Sequence, residues 1–223
     1  MKLNLIIPET LDDVTLEQYV KFEKLNTEDN KNSTFIMQKL VEIFCGIDLE
    51  ITLKIKYNDL VKITEKINKV INSNAPHTPR FTLDGVEYGF VPNLDDITLG
   101  EYIDLDNYLT SWETMDKALS VLYRPITLDK GDRYLIEEYD GSKYSEAMLK
   151  SPLSVAVGAM VFFWNLNKEL LNHTLNYLQK ETADKLTLEE LKALDLNGVG
   201  ISQSMHSLQE ILKDLNISQS LEL

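Results

Sequence analysis

Apolar residues recur at helical spacing along most of this chain, and the stretches between them carry turn residues. Residues 58–72 place Leu60, Ile63, Ile67, Val70 and Ile71 three or four apart, which predicts an amphipathic helix. Residues 33–47, "STFIMQKLVEIFCGI", predict a second, with a polar start and a stop near Gly46. Residues 111–125 predict a third, with Trp112, Met115, Leu119 and Leu122 on one side and an end before Pro125. Ser151-Pro152 looks like a cap followed by proline at the first helical position. The helix from there is expected to reach about Gln179, and its apolar first half, "LSVAVGAMVFFW", marks it as the central buried helix. Strand signals are fewer. "KLNLII" at residues 2–7 reads as a short strand ended by Pro8, and residues 81–91 read as a hairpin turned on Asp84-Gly85. Residues 126–143 read as a loop or weak hairpin, and residues 187–195 and 202–214 as short helices of the tail.

One pattern is written twice. Residues 7–22, "IPETLDDVTLEQYVKF", return as residues 91–105, "VPNLDDITLGEYIDL", with Leu11 and Leu94 83 positions apart. In the first copy Leu11, Asp12 and Asp13 lead to Thr15 as N-cap, Gln18 closing a capping box, and Val14 with Tyr19 as a hydrophobic staple. In the second, Leu94, Asp95 and Asp96 lead to Thr98, Glu101, and Ile97 with Tyr102. A third, shorter instance pairs Thr187 with Glu190. Duplication of a strand–turn–helix unit accounts for the longer match; convergence on a strong helix start is the alternative. Two copies are too few for a solenoid. The expected fold is mainly α (α+β): a helical domain with a short β-hairpin. Its N-terminal module spans residues 1–75 and the remainder residues 76–223, with "SNAPHTPR" at 73–80 as the boundary, and the two are expected to form one compact domain overall.

Composition narrows the function classes. Apolar residues are 43% and charged residues 26%, ordinary globular usage, with 6 Pro and 9 Gly. The net charge of −14 is uneven: −2 over residues 1–75, −8 over 76–150 and −4 over 151–223. So negative a surface repels phosphate and anionic lipid, which argues against specific nucleic-acid binding and against a membrane. The longest apolar run is also too short to span a bilayer.

Candidate chemistry is thin. The acid pairs Asp12-Asp13, Asp95-Asp96 and Asp104/Asp106 invite a divalent cation. However, neighbouring turn residues diverge, whereas hard cations need convergent oxygens. Acids ahead of a helix also complement its dipole, which is reason enough for their presence. Asp129, Asp132, Glu137, Glu138 and Asp140, with Tyr134 and Tyr139, read as a solvated acidic edge. Cys45 lies among apolar neighbours and reads as a buried structural thiol. His77, His173 and His206 are scattered, and no phosphate loop or nucleophile elbow occurs. The expectation is a protein that is not an enzyme, with no catalytic residue, metal or cofactor.

The run "FTLDGVEYGFVPNLDDITLGEYIDLDNYL", followed by "ALSVLYRPI" and "YLIEEYDG", resembles small structural or assembly proteins of the head–tail region of tailed bacteriophages, crAss-like phages included. That resemblance covers about residues 80–165 and carries no catalytic residues. It implies a virion structural component: a ring, adaptor or packaged protein at the portal–tail junction, assembled in the host cytoplasm. It further implies portal, tail or ring proteins as partners, and homo-oligomers. An assembly chaperone absent from the mature particle is the alternative.

Overall fold

The protein is described by a computed structural model over residues 5–182, apart from Glu28, Asn32 and Asp132. Four helices form the N-terminal part: α1 (Leu16–Glu23), α2 (Thr34–Cys45), α3 (Leu49–Thr52) and α4 (Tyr57–Ile71). Ser33 caps α2, its Oγ accepting from the Ile36 amide at 3.2 Å, and Gly46 ends the helix at φ 63°, a left-handed geometry glycine adopts freely. On α4 the buried residues are Leu60, Ile63, Thr64, Ile67 and Ile71, the spacing expected of one helix face. That face packs on α2.

Four antiparallel strands follow in the order β1 (Arg80–Leu83), β2 (Val86–Phe90), β3 (Tyr123–Asp129) and β4 (Tyr134–Ile136). The β1–β2 turn holds Asp84 at φ 50° and Gly85 at φ 81°, the two positive angles of a tight hairpin turn. The expected short hairpin is therefore half of a larger sheet, whose other half is residues 123–136. The third predicted helix ends ahead of Pro125 as expected, at Leu122, and Pro125 itself lies inside central β3. Its carbonyl accepts from the Glu137 amide at 2.9 Å, so its missing N–H also faces the β4 side, past Ile136, and costs no bond to β2.

Helices α5 (Leu99–Tyr108) and α6 (Met115–Leu122) sit in the connection from β2 to β3, and α6 runs directly into β3. After the short α7 (Ser145–Met148), helix α8 (Leu153–Thr182) extends about 45 Å at 1.5 Å per residue. Its first half is buried as expected, with Leu153, Val157, Ala159 and Met160 at zero exposure. Ser151 does not cap it: the buried hydroxyl donates to the Met148 carbonyl instead, at 2.7 Å.

One expectation is corrected. Residues 5–9 form no strand, because no other segment among the described residues pairs with them; residues 2–4 lie outside the described residues. The 73–80 connector is packed against the rest of the described structure. Ala75 is buried, the Tyr123 hydroxyl donates to the Thr78 carbonyl at 2.8 Å, and Pro76 lies against Gly158 of α8. One continuous core consequently runs across it, from Leu16 and Tyr19 to Leu122 and Met160. The predicted tail helices, with Thr187, Glu190 and His206, lie outside the described residues.

Candidate functional site

Both copies of the repeat fold alike. Leu11–Asp13 and Leu94–Asp96 each make one 3-10 turn, and Thr15 and Thr98 cap the helices that follow. In the first copy the Thr15 amide donates to Gln18 Oε1 at 2.9 Å, and the Gln18 amide donates to Thr15 Oγ1 at 3.2 Å. In the second the Thr98 amide donates to Glu101 Oε2 at 2.6 Å, and the Glu101 amide donates to Thr98 Oγ1 at 3.2 Å. The repetition is thus real at the backbone, although the first copy has no strand ahead of it among the described residues.

The surroundings of the two copies are opposite. Around α1 the motif is covered. Leu11, Val14, Leu16 and Tyr19 are all buried, and the Tyr19 ring meets Trp112 at 4.5 Å between centroids. The first two amides of α1 donate to Ser151 and Leu149 carbonyls at 3.0 and 2.8 Å, and the Leu153 amide returns a bond of 2.7 Å to Val14. Around α5 the motif is open. Leu99 is 75% exposed, Tyr102 53% and Ile103 48%, three neighbours on one helix face.

Two partners turn α5 this way. Glu101 is buried and Arg124 of β3 reaches its Oε1 at 2.6 Å, an ion pair with both side chains nearly out of water. The Tyr139 hydroxyl donates to Asp104 one turn further on, and burial beside that carboxylate pushes the phenol pKa up. The helix is held by Glu101, Asp104 and Leu105, so the stripe at 99, 102 and 103 must face outward.

The motif acids are largely occupied locally. Asp13 accepts from the Thr10 and Glu9 amides at 2.9 and 3.0 Å, which hold its carboxyl below the usual range. Asp12 accepts from the Ser154 hydroxyl, and Asp96 from Asn93 Nδ2. Asp95 and Asp96 stay exposed beside the apolar stripe. Among the described residues, no group of three or more His, Cys, Asp or Glu is placed to hold a metal ion.

The acidic stretch 129–140 is more engaged than a solvated edge. Arg80 holds Asp129 at 3.0 Å, and Glu137 takes the Tyr144 hydroxyl and Lys143. Cys45 is half-buried rather than buried, and desolvation raises its pKa. His77 packs between Phe90 and Phe162, at 4.5 and 4.6 Å between ring centroids, and desolvation lowers its pKa.

The described surface also has concave regions. An open groove of about 900 Å³ runs past His77, Phe90, Leu94, Asp95, Leu135 and Phe162. A smaller pocket of about 420 Å³ lies between α1, α2 and α4, where the buried Thr64 hydroxyl has no hydrogen-bond partner among the described residues.

Sequence reasoning missed two features here. Arg124 gave no local sign of pairing with a residue 23 positions away. The exposed stripe was hidden because α5 carries apolar residues on two faces, 99/102/103 and 105/108/109, and spacing cannot choose between them. Among the described residues, no helix is long and apolar enough to cross a membrane. No family model matches the chain, nor does any curated protein or solved structure.

Proposed function

We propose that this protein is a non-enzymatic structural component of a tailed-bacteriophage virion, a ring, adaptor or packaged protein at the portal–tail junction. The observation that carries the reading is the open second copy of the repeat. A motif whose Leu11, Val14, Leu16 and Tyr19 the chain buries around α1 is left around α5 with Leu99, Tyr102 and Ile103 facing solvent. Contiguous apolar surface of this kind, rimmed by charge, is how protein–protein contacts present themselves. The rest of the molecule suits a building block. The buried Glu101–Arg124 pair and the capping boxes fix that surface in one geometry, and its partners on this reading are portal, tail or ring proteins together with further copies of the chain.

The test is mass spectrometry of phage particles purified by density gradient. Stoichiometric amounts of the chain in mature particles are expected. A chain abundant in the lysate and missing from the particles overturns the reading in favour of an assembly chaperone.

A further inference from the structure

We propose that copies of this chain join head to tail, the acidic apolar stripe of α5 docking on a basic apolar corner formed by α3 and α4. The proposal rests on the oligomeric reading above and names the surfaces. The corner lies at residues 53–57, where Leu53 is 63% exposed and Tyr57 61% exposed, with the exposed Lys54 and Lys56 between them in the sequence. Behind it, the solvent face of α4 adds Lys62, Lys66 and Lys69 against Asp59 and Glu65 alone. None of these five lysines forms an ion pair among the described residues.

The two surfaces match in kind and oppose in sign. Each has large apolar side chains at its centre. One is rimmed by lysines, the other by Asp95, Asp96 and Asp106, and residues 93–106 contain no basic residue. Within one chain they do not meet, since the apolar residues of both stand exposed; α3 and α4 pack on α2, whereas α5 packs on α6. A patch on one copy that fits a different patch on the next makes a heterologous contact, and repetition of such a contact builds rings or filaments. Self-pairing of the acidic stripe is disfavoured, because like charges would face one another.

The experiment uses the full-length chain, with mass read by light scattering over a concentration series at low salt. One variant carries Asp95→Lys and Asp96→Lys, the other Lys54→Glu and Lys56→Glu; all four positions are exposed, and thermal melts confirm that both variants fold. Wild-type protein is expected to assemble and each variant alone to stay monomeric. An equimolar mixture of the two is expected to assemble again, because every interface in an alternating array is then complementary. Leu99→Ser with Tyr102→Ser is expected to abolish assembly in either setting. A wild-type chain that stays monomeric throughout the series, variants that assemble like wild type, or a mixture that fails to recover would each overturn the contact. Presence of the chain in purified particles would meanwhile leave the structural role standing, so the two failures are distinguishable.

Discussion

Gln18 and Glu101 hold the same position of the repeat and close the same box, yet their remaining atoms meet opposite partners. Gln18 Nε2 donates to the Ile43 carbonyl of α2 at 2.9 Å, while Glu101 Oε1 accepts from Arg124. A carbonyl needs a donor and a guanidinium needs a carboxylate, so the one difference between amide and acid is dictated by what lies across the interface. Exchanging them is accordingly costly both ways. Gln18→Glu sets a carboxylate against a carbonyl and is expected to cost about 1–3 kcal/mol. Glu101→Gln keeps the box but leaves a buried guanidinium without its counter-charge, for about 3–5 kcal/mol. Urea denaturation of the two variants checks the order. His77 gives a pH prediction. Desolvation lowers its folded pKa below the ordinary 6.5, so the unfolded chain binds the proton more readily. Stability must then fall as pH drops through about 6.5 towards the lowered folded value. Thermal melts at neutral pH and just below 6.5 are expected to show this loss in the wild type and its attenuation in His77→Phe.

At the scale of the element, α1 and α5 begin with the same instructions and end in different environments. Leu16 and Leu99 are equivalent in sequence, but the first has zero exposure and the second 75%. Leu16→Ala is expected to cost about 2–5 kcal/mol, the range of a core truncation. Leu99→Ala is expected to change stability by less than about 0.5 kcal/mol while weakening assembly. Equal losses in the two melting curves would contradict the assigned burial. Helix α8 supplies the other element-scale test. A Cβ at Gly158 would fall 2.4 Å from the Pro76 carbonyl oxygen and 3.2 Å from His77 Cα. Alanine favours a helix over glycine by about 1 kcal/mol. Gly158→Ala should nonetheless be destabilising, because overpacking rigid backbone typically costs about 1–3 kcal/mol. The denaturation midpoint gives the sign directly.

For the whole molecule, the issue is how a chain of net charge −14 can bind itself. If overall repulsion governed assembly, the Asp95→Lys/Asp96→Lys variant, which is less negative, would assemble better than wild type. If the local patches govern, it loses assembly just as the Lys54→Glu/Lys56→Glu variant does. Sedimentation velocity on the three proteins separates the alternatives, and loss in both variants is expected. The range of the interaction makes the local outcome reasonable, since the screening length is only about 10 Å at 0.1 M salt. A lysine rim facing an aspartate rim across a closed contact lies within that length, and the bulk of the negative charge does not.

By itself the sequence determined whatever depends on neighbours along the chain. Helices α2 and α4 follow from their periodicity, the 81–91 hairpin from Asp84-Gly85, and the two capped starts from Thr15, Gln18, Thr98 and Glu101, because caps and turns are closed within a few residues. The buried first half of α8 was legible for the same reason, since an apolar run has to leave water. Tertiary structure alone decided which face of α5 is covered, because Arg124 and Tyr139 arrive from strands and turns far along the chain. It also decided that residues 123–136 complete a sheet and that residues 5–9 pair with no other described segment, since a strand exists only where another strand accepts its hydrogen bonds. The same long-range packing made one copy of the repeat core and the other surface, a distinction the repeated letters could not carry.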